Sequence, residues 1–387
     1  MDAVELRLDL YPGLDVEAYL ARSPRPVVAS VRRARDGGAH TGSEAERGAL
    51  LRRAAKAAYV DLELDADSAL APAGPRRIVS VHDTRGMPAD LDALFERCLL
   101  TGAHRVKIAV TPASAAEAFR LLDLPTAGLG MGDHGAFTRV LAPLTYCARR
   151  PLAPGMPSPE ELFDLYDVRR LGTATALYGV AGDPIAHSLS PALHNPTLVR
   201  DRIDAVYLPF RVADLAGFWP VFLAHRGRGL SVTAPLKLEA ARLATRPDEE
   251  VLACGAANTL LADGRACNTD FRAFLDLLPP GGGEALVLGA GGAARAAVAA
   301  LRRLGYDVAV WARRPGQAAA LGVRVAPSPH PSPIVVNTTA LEPPSSPFLV
   351  DLRYGPGIAP PASGIGGLEF LRAQARHQYR IFFGRDL

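Results

Sequence analysis

Cysteine is scarce in this sequence, and the cysteines that it has are far apart. The 387 residues include four, at Cys98, Cys147, Cys254 and Cys267, and no two of them have Cys-x-x-Cys spacing. This argues against a disulfide framework and favours reduced thiols in the cytoplasm. Because no His, Cys or carboxylate residues have the spacing of a metal site either, we expect no metal.

Long apolar runs and a strong excess of one charge are also missing. No apolar run reaches 18 residues, and the first residues include Asp2, Glu5 and Arg7, which is untypical of a signal peptide. The net charge is +3, so no basic surface for nucleic acid is indicated. Apolar residues make up 49%, as in soluble globular proteins, and the length suggests two or three domains. We therefore expect a soluble, cytoplasmic protein that acts on small molecules, with neither membrane nor nucleic acid as partner; the sequence leaves its oligomeric state open.

Short apolar segments alternate with helical periods through the first 168 residues, as in chains built of βα units. The pattern predicts seven strands, at residues 4–10, 27–32, 59–64, 78–82, 105–110, 127–131 and 144–148. It predicts helices at residues 44–56, 91–100 and 113–122. We expect an α/β fold in which this part is a parallel β/α barrel, since so many strands in so short a chain fit a barrel better than an open sheet.

Polar residues lie on these predicted strands where a barrel core would be apolar. They are Glu5, Arg7, Arg32, Asp61, Glu63, His82 and Lys107. Burying unpaired charge is unfavourable, so several such residues converging on one rim indicate a functional site. The alternative is that each one simply ends a strand in solvent.

Together with Arg139 in MGDHGAFTR, the segments that carry these polar residues resemble the type I 3-dehydroquinate dehydratases. Members of that family are (β/α)8 barrels that convert 3-dehydroquinate to 3-dehydroshikimate. The resemblance implies that Lys107 forms a Schiff base with the ring ketone, which acidifies the neighbouring C–H. It implies that His82 acts as general base and then as acid for the departing hydroxyl. It also implies substrate contacts at Glu5, Arg7, Arg32 and Arg139, the last pairing with the carboxylate.

Three departures from that family's pattern bear on the activity. The glutamate of its Glu-Gly-Gly string is Asp36, and the polar residues of its closing loop are Leu152 and Met156. In addition, Glu5 matches the second strand of the family, so its first strand and helix have no counterpart. We therefore expect an incomplete barrel of about seven strands.

The stretch at residues 178–195, YGVAGDPIAHSLSPALHN, places two serines beside a helix start. Pro191 suits the first turn of a helix, with Ser190 as the candidate N-cap. The hydroxyls of Ser188 and Ser190, together with the positive end of the helix dipole, would hold a carboxylate. The alternative is a serine-rich turn that caps a helix and binds nothing.

Further motifs follow in a fixed order: Thr233 and Lys237 in VTAPLK, Asn258 in AANTLL, and Asp270 in NTD. Together with the serine stretch, this order resembles the shikimate dehydrogenase family. The resemblance implies that the paired serines hold the substrate carboxylate and that Lys237 and Asp270 are a catalytic pair. It assigns further substrate contacts to Thr233, Asn258, Tyr354 and Gln374.

A glycine-rich turn between a strand and an Ala-rich helix predicts a dinucleotide site. The residues that would approach the pyrophosphate are Gly289, Ala290, Gly291, Gly292, Ala293 and Ala294. The next strand ends in Arg313 and Arg314 with no acidic residue, which favours NADP over NAD because two guanidiniums suit a 2′-phosphate. The alternative is a solvated arginine pair. Asn337 and Thr338 are expected near the nicotinamide.

The two resemblances support each other, because the product of the dehydratase is the substrate of the dehydrogenase. We expect a fused enzyme that forms 3-dehydroshikimate and reduces it to shikimate with NADP. The expected domains are a barrel at residues 1–168, a substrate-binding domain at 177–270 plus 366–387, and a Rossmann domain at 271–365. The alternatives are a dehydrogenase with an inactive barrel, a non-catalytic sensor of similar ligands, and a dehydrogenase that prefers quinate.

Overall fold

The computed structural model describes residues 2–66 and 68–387. The chain divides into two compact units, Met1–Val168 and Arg169–Leu387. None of the described helices combines the length and apolar character needed to span a membrane.

The first unit contains one sheet of six parallel strands, paired in chain order from β1 to β6. The strands are β1 (Val4–Arg7), β2 (Val27–Ser30), β3 (Tyr59–Glu63), β4 (Arg76–Asp83), β5 (Arg105–Val110) and β6 (Ala127–Gly130). The helices are α1 (Val16–Arg22), α2 (Glu44–Arg52), α3 (Leu91–Leu100), α4 (Ala115–Ala118), α5 (Gly132–Gly135) and α6 (Thr138–Leu141). Among the described residues no pairing joins β1 to β6, so the sheet is an open half-barrel. The prediction of an incomplete barrel is confirmed.

The seventh predicted strand, at residues 144–148, is wrong. Pro143 and Pro151 flank this apolar stretch, and proline cannot donate to a strand ladder. The described backbone there forms no strand, and Tyr146 instead packs against the inner face of the sheet at Ala109 and Leu129.

The strands of the half-barrel are buried because helices cover one face and the polar pocket residues fill the other. Leu6, Leu51, Val60 and Leu62 belong to one apolar cluster between sheet and helices. A second cluster, with Ile108 at its centre, lies under α3. Parallel strands that are covered in this way appear in the sequence as continuous apolar runs. This is why the sequence predicted the positions of these six strands.

The second unit contains two sheets. The first has the order β10-β12-β11-β9-β7-β8. Its strands are β7 (Ala176–Gly182), β8 (Ala205–Arg211), β9 (Gly227–Val232), β10 (Arg246–Pro247), β11 (Thr259–Leu261) and β12 (Arg265–Cys267). Its helices are α7 (Ser190–Arg200), α8 (Leu215–Ala224), α9 (Lys237–Leu243), α10 (Glu249–Cys254) and α11 (Thr269–Leu277). Strands β7, β8 and β9 run parallel, whereas β11 is antiparallel to both of its neighbours.

The second sheet is parallel throughout, in the order β15-β14-β13-β16-β17-β18. Its strands are β13 (Gly283–Leu288), β14 (Tyr306–Trp311), β15 (Arg324–Val325), β16 (Ile334–Asn337), β17 (Phe348–Asp351) and β18 (Gly364–Gly366). Its helices are α12 (Gly292–Arg303) and α13 (Pro315–Ala319), and the long α14 (Gly367–Phe383) closes the chain. The chain order reverses between β13 and β16, which creates the crevice where α/β sheets bind ligands.

The predicted N-cap of α7 is displaced by one residue. Helix α7 begins at Ser190 itself, with Pro191 in its first turn and Leu189 at the cap position. Ser188 takes part of the capping role, because its Oγ accepts a hydrogen bond from the Ser190 amide at 3.4 Å.

His194 is a buried, neutral side chain in the core of the first sheet. Its ring stacks on Tyr207 at a centroid distance of 4.2 Å, and neither ring nitrogen has a hydrogen-bond partner among the described residues. Burial lowers the pKa of His194 to about 3. The folded protein therefore excludes a proton that the unfolded chain binds in mild acid.

We predict that His194 makes the second unit acid-sensitive. Since the pKa of His194 is depressed in the folded state, the stability associated with it falls as the pH drops below about 6.5, by about 2 kcal/mol at pH 5. The variant His194→Phe keeps a stacked ring but cannot titrate. Calorimetry from about pH 7 to about pH 5 should show a smaller loss of melting temperature in the variant than in the unaltered protein. His330→Phe serves as a partly exposed control, and parallel curves for all three proteins would contradict the prediction.

Candidate active sites

A cavity of about 1410 Å³ in the second unit collects most of the residues that the sequence singled out there. It is lined by Ser188, Ser190, Thr233, Lys237, Asn258, Asp270, Tyr354 and Gln374. The glycine-rich turn and the segments after it also line the cavity, with Gly289, Ala290, Gly291, Gly292, Ala293, Arg313, Arg314 and Thr338. The carboxyl ends of strands β9, β13 and β16 all contribute to its wall.

Two predicted residues are not brought to the cavity. Ala294 is buried in the packing of α12 against the sheet. Asn337 is also buried, and its amide donates to the Asp351 carboxylate at 3.0 Å and to the Leu341 carbonyl at 2.9 Å. Asn337 therefore braces the end of β16 with its side chain.

Lys237 and Asp270 form an ion pair at the centre of the cavity wall. Lys237 is the first residue of α9, and its Nζ lies 2.5 Å from Asp270 Oδ2. Asp270 lies in the first turn of α11, and its other oxygen accepts a hydrogen bond from Asn258 at 2.9 Å. The side chain of Asp270 is 5% exposed and that of Lys237 14% exposed, so the lysine is the more exposed member of the pair.

Asn258 fixes the start of α11. Its Oδ1 accepts from the Thr269 amide at 2.8 Å, and its Nδ2 donates to Thr269 Oγ1 at 2.8 Å. Asn268 caps the same helix by accepting from the Phe271 amide at 3.1 Å. The carboxylate of Asp270 is therefore oriented by a rigid helix start, which restricts where it can hold Lys237.

A chain of buried hydroxyls and amides runs behind the paired serines. The Tyr207 hydroxyl donates to Ser231 Oγ at 2.6 Å and also faces Ser190. Ser231 donates to Gln378 Oε1 at 2.9 Å, and Gln378 in turn donates to the Asn258 carbonyl. The sequence prediction missed Tyr207 and Gln378. The four-residue spacing from Gln374 on α14 was a signal for Gln378, since such residues share a helix face.

The glycine-rich turn is shaped to admit a large anionic group. Gly289 has φ +110, and a Cβ there would lie 2.4 Å from Thr338 Oγ1. A Cβ at Gly292 would lie 2.5 Å from Lys237 Cβ, so this turn approaches the lysine closely. Open space surrounds Gly291, and no side chain caps the 12-residue helix α12. The first amides of α12 are thus available to a phosphate, and the residues fit the pyrophosphate of a dinucleotide.

Arg313 and Arg314 come one residue after the end of β14, and both are exposed at the rim of the cavity. The residue between the strand and this pair is Ala312, so no carboxylate lies at the strand end. The two guanidiniums are available to a phosphate bound at this edge.

The first unit has a smaller cavity of about 160 Å³ at the carboxyl edge of the half-barrel. All six predicted site residues of this unit line it: Glu5, Arg7, Arg32, His82, Lys107 and Arg139. Asp36, Leu152 and Met156 also line it. Asp36 is held by Arg33, whose Nε donates to it at 2.5 Å.

Lys107 is the most tightly held group in this cavity. It is 4% exposed, its Nζ lies 2.5 Å from Asp61 Oδ2, and the Tyr146 ring covers it at 4.5 Å from the centroid. The sequence prediction counted Asp61 among the polar residues on the strands but gave it no chemical role, and it did not single out Tyr146. Asp61 lies in the middle of an apolar strand, where only its buried position distinguishes it from an ordinary surface carboxylate.

His82 is held in its neutral form. Burial lowers its pKa well below the usual value, and the positive charges of Arg32 and Lys107 lower it further. The Arg32 guanidinium lies against the ring, 2.6 Å from Nδ1. A neutral imidazole has a free lone pair, with which it can accept a proton from a bound substrate and return it later.

Arg139 is a buried guanidinium with no carboxylate partner among the described residues. It is 2% exposed, and its Nε donates to the Gly130 carbonyl at 2.9 Å. Burial alone lowers its pKa to about 10. Arg7, in contrast, is paired with Asp9 at 2.6 Å, and Glu5 accepts from Ser30 at 2.8 Å. Arg139 is therefore the cavity's natural receptor for an anion.

The chain has three lysines, Lys56, Lys107 and Lys237, among 43 Lys and Arg residues. Two of the three lie in the two cavities, each within 2.5 Å of an aspartate. Lysine differs from arginine in that it can lose its proton and act as a nucleophile or as an acid–base group. The lysines are thus placed where that chemistry is available.

Comparison with known proteins finds relatives for both parts of the chain. Residues 1–173 match the family described as type I 3-dehydroquinase, and residues 180–260 match the shikimate dehydrogenase substrate binding domain. The chain is 34% identical over 303 residues to the bifunctional 3-dehydroquinate dehydratase/shikimate dehydrogenase of Arabidopsis thaliana, covering 70% of this chain and 50% of that protein. It is 32% identical to the shikimate biosynthesis protein AroDE of Chlamydia pneumoniae, covering 63% and 56%. The chain thus spans about half the length of these two relatives.

The dehydrogenase half matches complete relatives. The shikimate dehydrogenase (NADP(+)) of Sulfolobus acidocaldarius is 33% identical over 254 residues, which are 56% of this chain and 93% of that protein. The crystal structure of shikimate dehydrogenase from Aquifex aeolicus aligns with a TM-score of 0.50 and 30% identity, covering 56% of this chain and 96% of that one.

Proposed function

The chain belongs to the shikimate dehydrogenase family, in the form fused to a type I 3-dehydroquinase region, and from that premise we propose a two-step activity. Residues 1–168 dehydrate 3-dehydroquinate to 3-dehydroshikimate, and the second unit reduces 3-dehydroshikimate to shikimate with NADP as cofactor. The observation that carries the reductase is the Lys237–Asp270 pair beside an uncapped, glycine-rich helix start. The location proposed for this activity is the cytoplasm, in keeping with four free cysteines.

In the reductase, the substrate carboxylate is held by the hydroxyls of Ser188 and Ser190. Thr233, Asn258 and Gln374 bind the ring hydroxyls, and Tyr354 closes the site from the side of β17. NADPH, when bound along Gly289–Ala293 with its 2′-phosphate at Arg313 and Arg314, supplies the hydride. The Lys237 ammonium donates a proton to the oxygen of the former ketone, and Asp270 holds Lys237 in position to do so.

In the dehydratase, Arg139 binds the carboxylate of 3-dehydroquinate and Lys107 attacks the ring ketone. The resulting iminium draws electrons from the adjacent C–H bond, whose proton passes to the neutral His82. His82 then protonates the departing hydroxyl, which leaves as water. Glu5, Arg7 and Arg32 surround the ring in this proposal.

A second candidate is a dehydrogenase whose half-barrel has lost its chemistry. The half-barrel has six strands with two unpaired edges, and the apolar Leu152 and Met156 line its cavity. Lost polar contacts to substrate hydroxyls weaken binding. The intact set of Lys107, His82 and Arg139 favours an active, though weak, dehydratase over this reading.

We predict that Lys237→Ala lowers the kcat of shikimate oxidation by about 10²–10⁴, the usual range for a general acid–base group. Dinucleotide binding should persist, because the glycine-rich turn is unchanged. Steady-state kinetics and a fluorescence titration with NADPH measure the two quantities. Lys56→Ala, a change at an exposed lysine of the other unit, is the control. A kcat within a few-fold of the unaltered protein's would remove the pair from the mechanism.

Cofactor preference should depend on the arginine pair at the end of β14. The double variant Arg313→Gln/Arg314→Gln should weaken NADP binding by about 2–3 kcal/mol, since charge-assisted bonds to the 2′-phosphate are lost. Binding of NAD should hardly change. Arg302→Gln/Arg303→Gln, at the exposed end of α12, is a matched control in the same domain. Equal losses for NADP and NAD would mean that Arg313 and Arg314 do not contact the 2′-phosphate.

The dehydratase proposal predicts slow turnover of 3-dehydroquinate that disappears in Lys107→Ala, because no other lysine lines the cavity to form the Schiff base. Absorbance of the enone product measures the rate. Lys56→Ala should retain the rate of the unaltered protein. If the unaltered protein shows no turnover, the dehydrogenase with an inactive half-barrel is the better account.

A further inference from the structure

Asp61 lies directly beneath the nucleophile of the first unit and outside the wall of its cavity. Its carboxylate is fully buried, and it accepts from three donors, two on neighbouring strands and one just after a third strand. Lys107 on β5 donates to Oδ2 at 2.5 Å, Arg32, just after β2, donates to the same oxygen at 3.0 Å, and Ser80 on β4 donates to Oδ1 at 2.5 Å. Because Ser80 occupies one oxygen, the other is turned towards Lys107 and Arg32.

Asp61 remains ionised in this setting. Burial acts to raise its pKa, but the charges of Lys107 and Arg32 outweigh burial and hold the pKa well below the usual range. The other charged or titratable groups around Lys107 and Asp61 are Glu5 on β1, Glu63 on β3, His82 on β4 and Tyr146 after β6. Glu5 is bound by Ser30 and Glu63 by Arg47, so Asp61 is the carboxylate in direct contact with Nζ.

We propose that Asp61 is the counter-ion that positions Lys107 Nζ and stays paired with that nitrogen through Schiff-base formation. The inference rests on the proposed dehydratase function and adds a residue to it. Asp61 acts through Lys107 and does not touch the substrate, so it is a positioning residue.

The charge balance of the step supports a counter-ion more than a base. An ammonium and a ketone give a protonated iminium and one water, and the two protons lost by nitrogen leave on that water. The ammonium first passes one proton to the neutral His82, which frees the nitrogen lone pair to form the bond to carbon. The second proton leaves nitrogen as the carbonyl oxygen departs with the electrons of its C–O bond, and both protons end on that water. Nitrogen is therefore cationic at both ends, and one fixed carboxylate can pair with it throughout without a net change of protonation. A carboxylate held ionised by Arg32 suits that role, whereas the neutral His82 is the better proton acceptor.

The test is reductive trapping of the iminium with borohydride and 3-dehydroquinate, followed by peptide mass spectrometry across a range of pH. Hydride from borohydride converts the iminium to a stable secondary amine. The chain's three lysines make the modified residue easy to assign. The proteins compared are the unaltered chain, Asp61→Asn, Asp61→Glu and the control Asp65→Asn, whose carboxylate is exposed near the same strand end.

In Asp61→Asn the ammonium and the iminium both lose their anionic partner beside Arg32. We expect the extent of trapping to fall by about tenfold or more, and its pH midpoint to move to lower pH by about one unit or more, as for loss of a close charge. Asp61→Glu should restore the midpoint with partial recovery of the extent, and Asp65→Asn should match the unaltered chain. An unchanged midpoint and extent in Asp61→Asn would overturn the proposal. Absence of any adduct on Lys107 in the unaltered chain would overturn the dehydratase function and this inference with it.

Asp61→Asn leaves the buried Lys107 without its counter-ion and Arg32 with only Glu5, at 3.6 Å, and can therefore fail to fold. Ser80→Ala is the milder variant, because it removes only the hydrogen bond that orients Oδ1. Circular dichroism establishes folding. We expect trapping to slow several-fold with its pH midpoint unchanged, since the charge is retained but its orientation is loosened. Trapping at the unaltered rate in a folded Ser80→Ala would count against a positioning role for Asp61.

Discussion

A buried lysine–aspartate contact lies at the main cavity of each unit, and the hydrogen bonds around it serve to make it stable. Removing two charges from water is expensive, and their attraction offsets this only when further hydrogen bonds satisfy the carboxylate. The Lys107–Asp61 pair is the more buried of the two, with side chains 5% and 0% exposed, and it recruits both Arg32 and Ser80. The Lys237–Asp270 pair is 14% and 5% exposed and is completed by Asn258. The number of supporting donors thus follows the depth of burial.

The same constraint links the pairs to the fold. Asp270 is aimed by the start of α11, which Asn258 and Asn268 fix, and Lys237 is the first residue of α9. The close approach of Gly292 to Lys237 then brings the glycine-rich turn to the same place, since any Cβ at that position would lie 2.5 Å from the lysine. In the half-barrel, parallel strands in register carry Ser80 opposite Lys107 and bring Asp61 beneath both. The backbones of several helices or strands thus fix the position of each proposed catalytic lysine.

Local sequence patterns predicted what local physics determines. The strand at 105–110 and the helix at 91–100 have the observed bounds, because apolar period and flanking caps define them within a few residues. Residues 144–148 show the limit: they are apolar enough for a strand, but Pro143 and Pro151 and the lack of a neighbour to pair with prevent one. Helix α7 begins one residue earlier than predicted. Both Ser188 and Ser190 can cap a helix, and the local sequence does not determine which of them does so.

The sequence showed which residues are candidates for function more readily than it showed which residues they contact. Lys107 stood out from the sequence as a charge on an apolar strand, and Arg139 through the family resemblance of its segment. Nothing local showed that Asp61, 46 residues earlier in the chain, is what Lys107 contacts. Likewise, the isolation of Arg139 is a property of burial in three dimensions. Tyr207 and Gln378 were missed for the same reason, since their hydrogen bonds join α14 to β8 and β9 across the sheet.

In the open half-barrel, the residues around the proposed nucleophile lie on inner strands, whereas several residues proposed to bind the substrate lie on or beside the edge strands. Lys107, Ser80 and Asp61 lie on β5, β4 and β3, which have a paired strand on both sides. Glu5 and Arg7 lie on the edge strand β1, and Arg139 follows the other edge strand, β6. Unpaired edges are the parts of a sheet most open to water and to movement. The two edges, unpaired among the described residues, therefore affect first the groups proposed to hold the substrate, and the lysine with its counter-ion lies away from them. On this argument the weakness of the dehydratase belongs in KM more than in kcat, because the interior strands keep the reacting nitrogen in place even where the substrate is loosely held.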